Sequence, residues 1–332
     1  MRCLVTGANG FVGATLCRKL LERGDKVRGM VRITSDLSLL EGVPIERFVG
    51  TLDDSSSLLE ATKGIDTVYH TAAAVTDWGT LDFFRRVNVF GTRRLIDASV
   101  QNGVTRFVLV SSVAVHSFIG AQDMDENAPQ LPTPFPYCQS KREAEALVMD
   151  YHHQRKFGVT IVRPGDVYGP GDRVSLLKMA GMLEKGSMAL IGGGKTMGAF
   201  TYVENLADGL ILAGTVPHAI GETYVITDGI KLTWREYFDK LTSALGVPPP
   251  RFSVNPRLAY AAAAILEFIY RRFRIQTRPP ITRYLIAHLW KDFQFGIEKA
   301  RRELGYKPRI AIDEAIQRTA EWYIRVVRGK ES

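Results

Sequence analysis

The chain has 332 residues, a length that fits one large domain or two modest ones. Its composition, 45% hydrophobic and 23% charged residues, is ordinary for a globular protein and excludes a disordered, collagen-like or disulfide-scaffold protein. The formal net charge is +8, and residues 251–332 hold seventeen basic and eight acidic side chains, but no zinc-finger or RNA-recognition motif accompanies this excess, so we expect no nucleic-acid partner.

Short apolar runs alternate with amphipathic runs over the first two-thirds of the chain. Runs rich in Val, Ile and Leu predict strands, and runs with apolar residues at helical spacing predict helices. Nearly continuous apolar strands are typical of a parallel sheet covered on both faces, so the sequence predicts an α/β fold with a doubly wound parallel sheet. The predicted strands are Arg2–Thr6, Lys26–Val31, Ile45–Val49, Thr67–Thr71, Arg106–Ser111 and Thr160–Arg163, and the predicted helices are Phe11–Arg23, Ser55–Lys63, Leu81–Asn102 and Gln139–Phe157.

A glycine-rich loop, residues 6–13, joins the first strand to the first helix. A tight turn needs Gly7, close approach of the backbone to a pyrophosphate needs Gly10, and close packing of helix on strand needs Gly13. The free N–H groups at the start of the helix, at Phe11 and Val12, then hold the anion with the positive end of the helix dipole. The alternative is a merely structural glycine turn. The loop predicts a dinucleotide-binding site.

The end of the second strand bears on which dinucleotide binds. An acid there accepts a hydrogen bond from the 2′-hydroxyl of NAD, whereas a nearby Arg accommodates the 2′-phosphate of NADP. The strand ends without an acid and is followed by Arg32, so NADP(H) is favoured over NAD(H). The alternative is that Arg32 is only a solvated residue at a strand end.

Tyr137 and Lys141 begin a helical run and lie four residues apart, so they share one helix face about 6 Å apart along the axis. A phenol is a poor base at neutral pH, and a neighbouring ammonium lowers its pKa. Tyr137 is then able to exchange a proton with a substrate hydroxyl or carbonyl. Ser112 ends a predicted strand, where ligand crevices of open α/β sheets lie. A Tyr-x-x-x-Lys pair by itself is common, and its alternative is an exposed helix turn.

Beyond about Pro170 the alternation of strands and helices becomes irregular. Gly192–Gly194 predicts a loop and Pro248–Pro250 predicts a break in regular structure. We expect a dinucleotide-binding Rossmann domain over residues 1–172 and a smaller, discontinuous substrate-binding region over 173–332. A segment at about 200–228 is expected to return to the Rossmann core.

The three cysteines, Cys3, Cys17 and Cys138, are too few and too scattered for a metal site with paired spacing or a disulfide framework. They fit a reducing compartment, and the apolar stretch at Cys3–Val5 is too short for a secretory segment. We therefore expect a cytoplasmic protein without a metal.

The motifs in their order resemble those of the extended short-chain dehydrogenase/reductase family, and the likeness spans nearly the whole chain. The glycine-rich loop is followed by Leu52-Asp53, His70-Thr-Ala-Ala73, Asn88-Val-Phe-Gly91-Thr92, Ser111-Ser112 and Tyr137-x-x-x-Lys141. The segments at 163–172, 200–207 and 297–306 look like the later landmarks of the family.

The resemblance implies roles for individual positions. Ser112, Tyr137 and Lys141 match the catalytic triad, and Tyr137 and Lys141 also border the cofactor, with Lys141 at the nicotinamide ribose. Asn88 matches a helix residue that supports the active-site Lys in some branches, and its alternative is a buried polar helix residue. An acid usual at position 51 is replaced by Thr51. The further cofactor-binding residues implied are Leu52 and Asp53 near the adenine, Ala72 and Ala73 behind the cofactor, and Pro164 and Val167 beside the nicotinamide.

Two departures from the family pattern argue against a sugar nucleotide. Gly198 stands where sugar-nucleotide enzymes commonly carry an Arg that grips the pyrophosphate. Arg163-Pro164 likewise replaces the Arg-x-x-Asn form often seen in sugar-nucleotide epimerases. The chain looks most like the 3β-hydroxysteroid dehydrogenase and dihydroflavonol-reductase branch.

The residues that follow the fourth and fifth strands are mainly apolar and aromatic. We expect Val75, Trp78, Val113 and His116 to contact the substrate, with His116 as a pocket wall or an extra acid. Asp77 is either a polar anchor for the substrate or a residue that caps or turns the loop. The run Ala259–Tyr270 is either an apolar lid or a plain core helix. Such a pocket suits a sterol-like, flavonoid-like or long-chain substrate.

The sequence thus predicts an oxidoreductase that interconverts a secondary alcohol and a ketone on an apolar small molecule. The alternatives are a sugar-nucleotide epimerase or dehydratase and a non-catalytic nucleotide sensor. By analogy with relatives, the helices Leu81–Asn102 and Gln139–Phe157 pair two copies into a homodimer. The basic C-terminal quarter beside an apolar run permits peripheral membrane contact, and its alternative is a solvated basic surface.

Overall fold

A parallel β-sheet forms the centre of the molecule in the computed structural model, which describes residues 1–327 and 329. Seven strands lie in the order β3-β2-β1-β4-β5-β7-β11, and every neighbouring pair is parallel. The predicted α/β class with a doubly wound sheet is confirmed. These strands are β1 (Arg2–Thr6), β2 (Lys26–Val31), β3 (Glu46–Val49), β4 (Thr67–His70), β5 (Arg106–Val110), β7 (Val159–Pro164) and β11 (Thr223–Ile226).

Helices cover both faces of this sheet, which explains why its central strands read as continuous apolar runs. One face packs against α1 and α7 through a core that includes Leu16, Leu20 and Leu210, and the other packs against α2, α4 and α5 through Leu58, Leu95 and Val148. The covering helices are α1 (Phe11–Glu22), α2 (Ser55–Thr62), α3 (Leu81–Phe84), α4 (Thr92–Gln101), α5 (Pro136–Arg155) and α7 (Val203–Thr215).

The predicted helix at 81–102 is interrupted in its middle. A π-helical segment, Arg85–Gly91, lies between α3 and α4. At Gly91 the chain passes close to Leu52, since a Cβ on Gly91 would lie 3.0 Å from the Leu52 Cβ. Short π-helical segments of this kind occur often at functional sites, and this one carries Asn88.

The segment from Val203 to Ile226 brings α7 and the seventh strand, β11, to the main sheet. A second group of elements lies beyond the carboxyl ends of the strands. Phe200 and Tyr237 stack there with ring centroids 4.6 Å apart, and Trp234 packs edge-on against Phe200. The division at residue 172 stays a prediction. The remaining elements are β6 (Ala121–Met124), β8 (Asp166–Tyr168), β9 (Ala189–Ile191), β10 (Phe200–Tyr202), β12 (Phe252–Val254), β13 (Phe293–Phe295), α6 (Ser175–Glu184), α8 (Trp234–Leu245), α9 (Pro256–Arg272), α10 (Arg283–Trp290) and α11 (Ile312–Val326).

Within residues 1–327 and 329, no helix combines the length and the apolar character needed to cross a lipid bilayer.

Candidate active site

The predicted site residues follow the carboxyl ends of neighbouring strands. Thr6 of β1 pairs with His70 of β4, and His70 pairs with Leu109 of β5, so the segments that follow these strands leave the sheet at one edge. The strand order reverses between β1 and β4, and doubly wound sheets bind ligands in the crevice at such a point. The glycine-rich loop, the segment after β4 and Ser112 therefore border one crevice.

The glycine-rich loop has the backbone shape that a pyrophosphate requires. Gly7 has a φ of +66°, and a Cβ there would lie 3.0 Å from the Cα of Ala72, while a Cβ on Gly13 would lie 2.2 Å from the carbonyl oxygen of Gly7. Helix α1 begins with Gly10 as its N-cap and without a side-chain cap, so its first-turn N–H groups are left for an anion. These N–H groups are those of Phe11, Val12 and Gly13.

Arg32 lies directly after β2 and is exposed. The Ser35 hydroxyl accepts the Arg32 backbone N–H at 3.1 Å, and the Arg32 carbonyl accepts the Ser35 N–H at 2.9 Å, so a closed turn carries the guanidinium. In this fold the ribose of the adenosine half binds at the end of the second strand. Arg32 therefore lies where that ribose would bind, and its contact with a 2′-phosphate stays a prediction.

Leu52 and Asp53 follow β3 at the same edge of the sheet. Leu52 is half-buried, its side chain lies against Gly91, and its carbonyl accepts a hydrogen bond from Arg94 at 3.3 Å. The Asp53 carboxylate is exposed and lies 3.6 Å from the Arg94 guanidinium. The pair gives the crevice an apolar side chain with a carboxylate beside it, and their contact with adenine stays a prediction.

A hydrogen-bonded chain fixes the segment that follows β4. The Ala72 N–H donates to the Thr6 hydroxyl at 3.3 Å, and this hydroxyl is 2.8 Å from Nδ1 of His70. Nε2 of His70 lies 2.9 Å from the Thr92 hydroxyl. Burial lowers the pKa of His70 to about 3, with a smaller contribution from Lys141, so its imidazole is neutral and serves as a structural link beneath Ala72 and Ala73.

Asn88 fixes the same segment from the other side. Its amide accepts the Ala74 N–H at 2.8 Å and donates to the Ala74 carbonyl at 3.2 Å and to the Ser140 hydroxyl at 3.0 Å. Ser140 in turn donates to the carbonyl of Tyr137 at 2.8 Å. Asn88 thus joins the loop after β4 to the first turn of α5, and its partners are these groups and not Lys141.

Tyr137 lies in the first turn of α5, and the hydroxyl of Ser112 lies beside its phenol. The Ser112 hydroxyl oxygen accepts the Ala114 N–H at 3.1 Å, which leaves the Ser112 proton free to be donated. Burial raises the pKa of Tyr137 well above its usual range, and the bond from Ser112 opposes this in part. The phenol therefore keeps its proton at neutral pH.

Lys141 follows Tyr137 by one helical turn and is 4% exposed. Its ammonium donates to the Val110 carbonyl at 2.9 Å and lies 6.0 Å from the centroid of the Tyr137 ring. Burial lowers the pKa of Lys141 to about 8, against a smaller opposing effect of Glu145. Burial therefore dominates the pKa of Tyr137 and Lys141 is directed to the end of β5, so the lowering of the phenol pKa by this ammonium stays a prediction.

Ser111 was not singled out by its chemistry, although it precedes Ser112. Its side chain is 3% exposed, and its hydroxyl is buried without a hydrogen-bond partner among the described residues. A buried hydroxyl without a partner is costly unless a ligand satisfies it. This feature, at the carboxyl end of β5, also fits a crevice that holds a polar cofactor.

Pro164 and Val167 lie at the carboxyl end of β7, on the same edge as Ser112. Between them the backbone at Gly165 is held by its N–H bond to the Thr201 hydroxyl at 3.2 Å. A Cβ on Gly165 would lie 1.9 Å from the Ala199 carbonyl oxygen, so this crossing admits only glycine. The contact of Pro164 and Val167 with a nicotinamide stays a prediction.

Aromatic rings surround the phenol of Tyr137. Phe84 and Tyr284 lie 6.0 Å and 6.2 Å from it between ring centroids, in edge-on geometry. Tyr284 comes from α10, far along the chain, and Phe84 ends α3. Neither residue was predicted as part of the site, because a single aromatic residue in a helix carries no sign of what it faces. They give the site an apolar wall.

Val75 and Trp78 lie on the loop after β4 at the rim of the crevice. Val75 is 67% exposed, whereas Trp78 is half-buried with its indole edge-on to Tyr270 at 6.4 Å. Asp77 forms a paired contact with the Arg278 guanidinium and accepts the Thr282 hydroxyl at 2.6 Å. Asp77 thus ties this loop to the connection between α9 and α10, and a contact of Asp77 with substrate stays a prediction.

Two predicted substrate residues, His116 and Val113, are enclosed by protein. His116 is 0% exposed, with its Nε2 3.3 Å from the Arg163 guanidinium and its ring packed on Phe295. Burial, with the Arg163 charge, lowers the pKa of His116 to about 4. The structure therefore corrects the predicted role of His116 as pocket wall or acid. Val113 is 3% exposed and is likewise a packing residue, because the 3₁₀ turn that follows β5 directs the side chains of both residues inward.

Over the described part of the chain, no group of three or more His, Cys, Asp or Glu side chains is arranged to hold a metal ion. Cys3, Cys17 and Cys138 are buried free thiols, and burial raises the pKa of each to about 12.

Comparison with known proteins agrees with this geometry. The model of the NAD dependent epimerase/dehydratase family matches residues 3–227. The chain is 32% identical to a 2-alkyl-3-oxoalkanoate reductase of Stenotrophomonas maltophilia over 96% of this chain and 98% of that protein, and 33% identical to a 3-beta-hydroxysteroid dehydrogenase of Mycolicibacterium neoaurum over 97% and 91%.

Among solved structures, the dTDP-glucose 4,6-dehydratase DesIV of Streptomyces venezuelae, crystallised with NAD, superposes with a TM-score of 0.79 at 26% identity, covering 99% of this chain and 98% of that one. The family model covers more than half of the chain, and the two relatives cover almost all of it. The chain therefore belongs to the NAD dependent epimerase/dehydratase family, the extended short-chain dehydrogenase/reductases that its motifs resemble.

Proposed function

We propose that this protein is an NADP(H)-preferring oxidoreductase that interconverts a secondary alcohol and a ketone on an apolar substrate. The observation that carries the proposal is that the Ser112 hydroxyl lies beside the Tyr137 phenol, at the sheet edge that also bears the glycine-rich loop. The names of its relatives support the reaction class, since a 2-alkyl-3-oxoalkanoate reductase and a 3-beta-hydroxysteroid dehydrogenase both act between a ketone and an alcohol.

The residues of the glycine-rich loop would hold the pyrophosphate of a dinucleotide, as their backbone shape permits. When bound, the nicotinamide supplies or accepts the hydride at the carbinol carbon. Tyr137 acts on the substrate oxygen. Because its phenol is protonated in this environment, it is ready to donate a proton to a carbonyl oxygen as that oxygen becomes a hydroxyl.

Ser112 orients the substrate oxygen beside Tyr137. Its own oxygen is occupied by the Ala114 N–H, so its proton points toward whichever oxygen lies near the phenol. Two hydroxyl donors then converge on one carbonyl oxygen and stabilise the charge that develops there. Lys141 places a buried positive charge at the end of β5, where it stabilises negative charge on the phenol after proton transfer.

An apolar substrate is supported by the walls of the site. Phe84 and Tyr284 flank the phenol, and Trp78 and Tyr270 meet at the rim. Gly198 supports the same conclusion, because a Cβ at this position would lie 2.9 Å from the Phe200 ring, which leaves no room for the arginine that grips a sugar-nucleotide pyrophosphate. A sterol-like, flavonoid-like or long-chain β-keto compound fits such a site.

NADP(H) is the proposed cofactor because Arg32 is exposed at the end of β2 and no acid precedes it there. A guanidinium recognises a phosphate by charge and by paired hydrogen bonds. The NAD in the DesIV structure belongs to an enzyme with its own preference, so the choice between the two dinucleotides is tested separately.

A panel of apolar ketones and alcohols, assayed with NADPH, NADH and their oxidised forms, tests this function. We expect turnover with NADP(H) on at least one ketone class. A melting temperature raised by UDP- or dTDP-sugars, with NAD retained through purification, would identify a sugar-nucleotide enzyme and refute the proposal. Dinucleotide binding without turnover of any ketone or alcohol would instead indicate a nucleotide sensor.

We further propose that the protein forms a homodimer through the helices at 81–101 and α5. Phe83 and Phe90 leave their rings partly exposed on the first of these helices, at 40% and 49%. Sedimentation velocity of the wild type and Phe90→Glu tests the contact. A dimer that persists in the variant would place the interface elsewhere.

A further inference from the structure

Helix α9 presents an apolar stripe to the outside of the molecule. Leu258, Ile265 and Phe268 are 70%, 61% and 69% exposed, and Phe273, just beyond the helix, is 70% exposed. The opposite face of α9 is buried through small residues, which is why the helix lies close to the protein on one side only. Further exposed apolar residues next to the stripe are Phe252, Val254, Ile269 and Ile275.

The charges around this stripe are almost all positive. Residues 251–278 contain six arginines and one acidic residue, Glu267. Glu267 is 5% exposed and accepts hydrogen bonds from the backbone and guanidinium of Arg283 at 2.7 and 2.8 Å, so it adds no negative charge to the outer surface. Arg257, Arg272 and Arg274 are exposed beside the apolar side chains.

An exposed helix with apolar residues on one stripe and arginines at its edges matches the surface of an anionic lipid bilayer. On such a surface the apolar side chains would enter the boundary between headgroups and acyl chains, and the arginines would contact the phosphates. The helix has 17 residues with arginines near both ends, so it lies on such a surface and does not span it. Neighbouring exposed apolar side chains that are rimmed by charged residues mark interaction sites.

A second copy of the chain is a poorer occupant of the same surface. A two-fold dimer brings the same patch of both subunits together, so the arginines of one copy would face those of the other. Repulsion between like charges across a desolvated contact is unfavourable. Lipid phosphates, in contrast, would neutralise the exposed arginines Arg257, Arg272 and Arg274.

We propose that α9 and the adjoining residues 251–275 form a docking surface for an anionic lipid bilayer. The surface adjoins the rim of the candidate site, because Tyr270 contacts Trp78 and Arg278 holds Asp77. If the proposed function holds, an apolar substrate reaches the crevice from the lipid without crossing water. The docking itself rests only on the exposed residues and their charges.

Sedimentation with vesicles tests the docking. The full chain is mixed with vesicles of phosphatidylcholine alone or of phosphatidylcholine and phosphatidylglycerol, at low and high salt. We expect binding to the anionic vesicles, weakening with salt. The variant Ile265→Glu with Phe268→Glu should lower the partition coefficient at least about tenfold, and Arg257→Gln with Arg272→Gln should lower it about tenfold on anionic vesicles.

Val49→Glu with Ile220→Glu is the matched control, since it adds the same charge at exposed apolar positions on other elements. A variant enters the comparison only if its circular dichroism spectrum and its NADP-induced rise in melting temperature match those of the wild type. The proposal is overturned by a wild type that binds neither vesicle, by equal loss in the control, or by binding independent of anionic lipid. It is also overturned if the wild type is a dimer that binds no vesicles and Ile265→Glu with Phe268→Glu converts it to a monomer, because a second copy of the chain would then occupy this surface.

The two proposals fail separately. Loss of ketone turnover with retained vesicle binding would count against the enzyme function alone, and turnover without vesicle binding would count against the docking surface alone.

Discussion

Replacing Lys141 by Met should stabilise the protein while abolishing its activity. Lys141 is 4% exposed, and burial lowers the pKa of its ammonium from the ordinary 10.5 to about 8. At pH 7 the group is still charged in both the folded and the unfolded chain. The folded state therefore carries a charge in surroundings that disfavour it.

The pKa difference sets the size of this effect. A Lys141 pKa of about 8 in the folded chain, against 10.5 in the unfolded chain, corresponds to about 3 kcal/mol of destabilisation of the folded state. This penalty applies below pH 8, where the folded and the unfolded chain both hold the proton. Between pH 8 and 10.5 the unfolded chain binds more protons than the folded one, so the folded state gains stability as the pH rises and the penalty disappears. Met leaves the Val110 carbonyl without its donor, which costs about 1 kcal/mol. The expected net gain at pH 7 is about 1–3 kcal/mol.

Urea unfolding of the wild type, Lys141→Met and the exposed-site control Lys185→Met measures this difference. We expect Lys141→Met to have a higher free energy of unfolding at pH 7 and to lose that advantage near pH 10, with the control close to the wild type at both. A Lys141→Met protein that is less stable than the wild type at pH 7, or equally more stable at both pH values, would refute the reasoning.

Three further variants have defined outcomes. Arg32→Ala should weaken NADP binding, measured by calorimetric titration, by about 10–100-fold and leave NAD binding nearly unchanged. An equal loss of affinity for both dinucleotides would contradict the contact between Arg32 and the 2′-phosphate. Gly13→Ala places a Cβ 2.2 Å from the Gly7 carbonyl oxygen, so no dinucleotide-induced rise in melting temperature is expected, and a wild-type rise would contradict the assigned packing. Glu145 and Arg163 form an ion pair at 2.7 Å, and both side chains are 7% exposed. Glu145→Gln removes the counter-charge of the buried guanidinium and should lower the free energy of unfolding in urea by about 3–5 kcal/mol. A loss below about 1 kcal/mol would show that solvent already screens the pair.

The spacing of apolar residues predicted the central strands and the first helix, because each of these elements follows a single periodicity. The strands Arg2–Thr6 and Lys26–Val31 appear with the bounds that their apolar runs indicate, since both faces of these strands are covered. The first helix begins at Phe11 as predicted, because Gly10 and Gly13 fix where the chain turns. Strand ends elsewhere differ by about one residue, at points where side-chain pattern says little about hydrogen bonding.

Features that depend on contacts between distant segments could not be read from the sequence. The π-helical segment at Arg85–Gly91 ends where the chain passes close to Leu52, which lies more than thirty residues away. His116 looked like a residue facing substrate because it follows a catalytic strand, but Arg163 and Phe295 enclose it. Lys141 donates to Val110, a partner that no helical spacing could indicate.

The C-terminal region shows the same limit from the other side. The run Ala259–Tyr270 was predicted as a lid or a core helix, and periodicity alone could not distinguish a stripe that faces the core from one that faces outward. In the structure the small residues Ala259 and Ala263 are buried and the large apolar ones are exposed. The small side chains are the buried ones because they let α9 approach its neighbours closely.

Turnover by Tyr137→Phe tests the central claim most directly, since the change keeps the ring and removes only the hydroxyl that lies beside Ser112. On the best ketone of the panel, the account predicts that kcat falls by about 10²–10⁴-fold while the variant still binds NADPH and unfolds like the wild type. A variant that retains kcat within a few-fold of the wild type would contradict the assignment of Tyr137 as the proton donor.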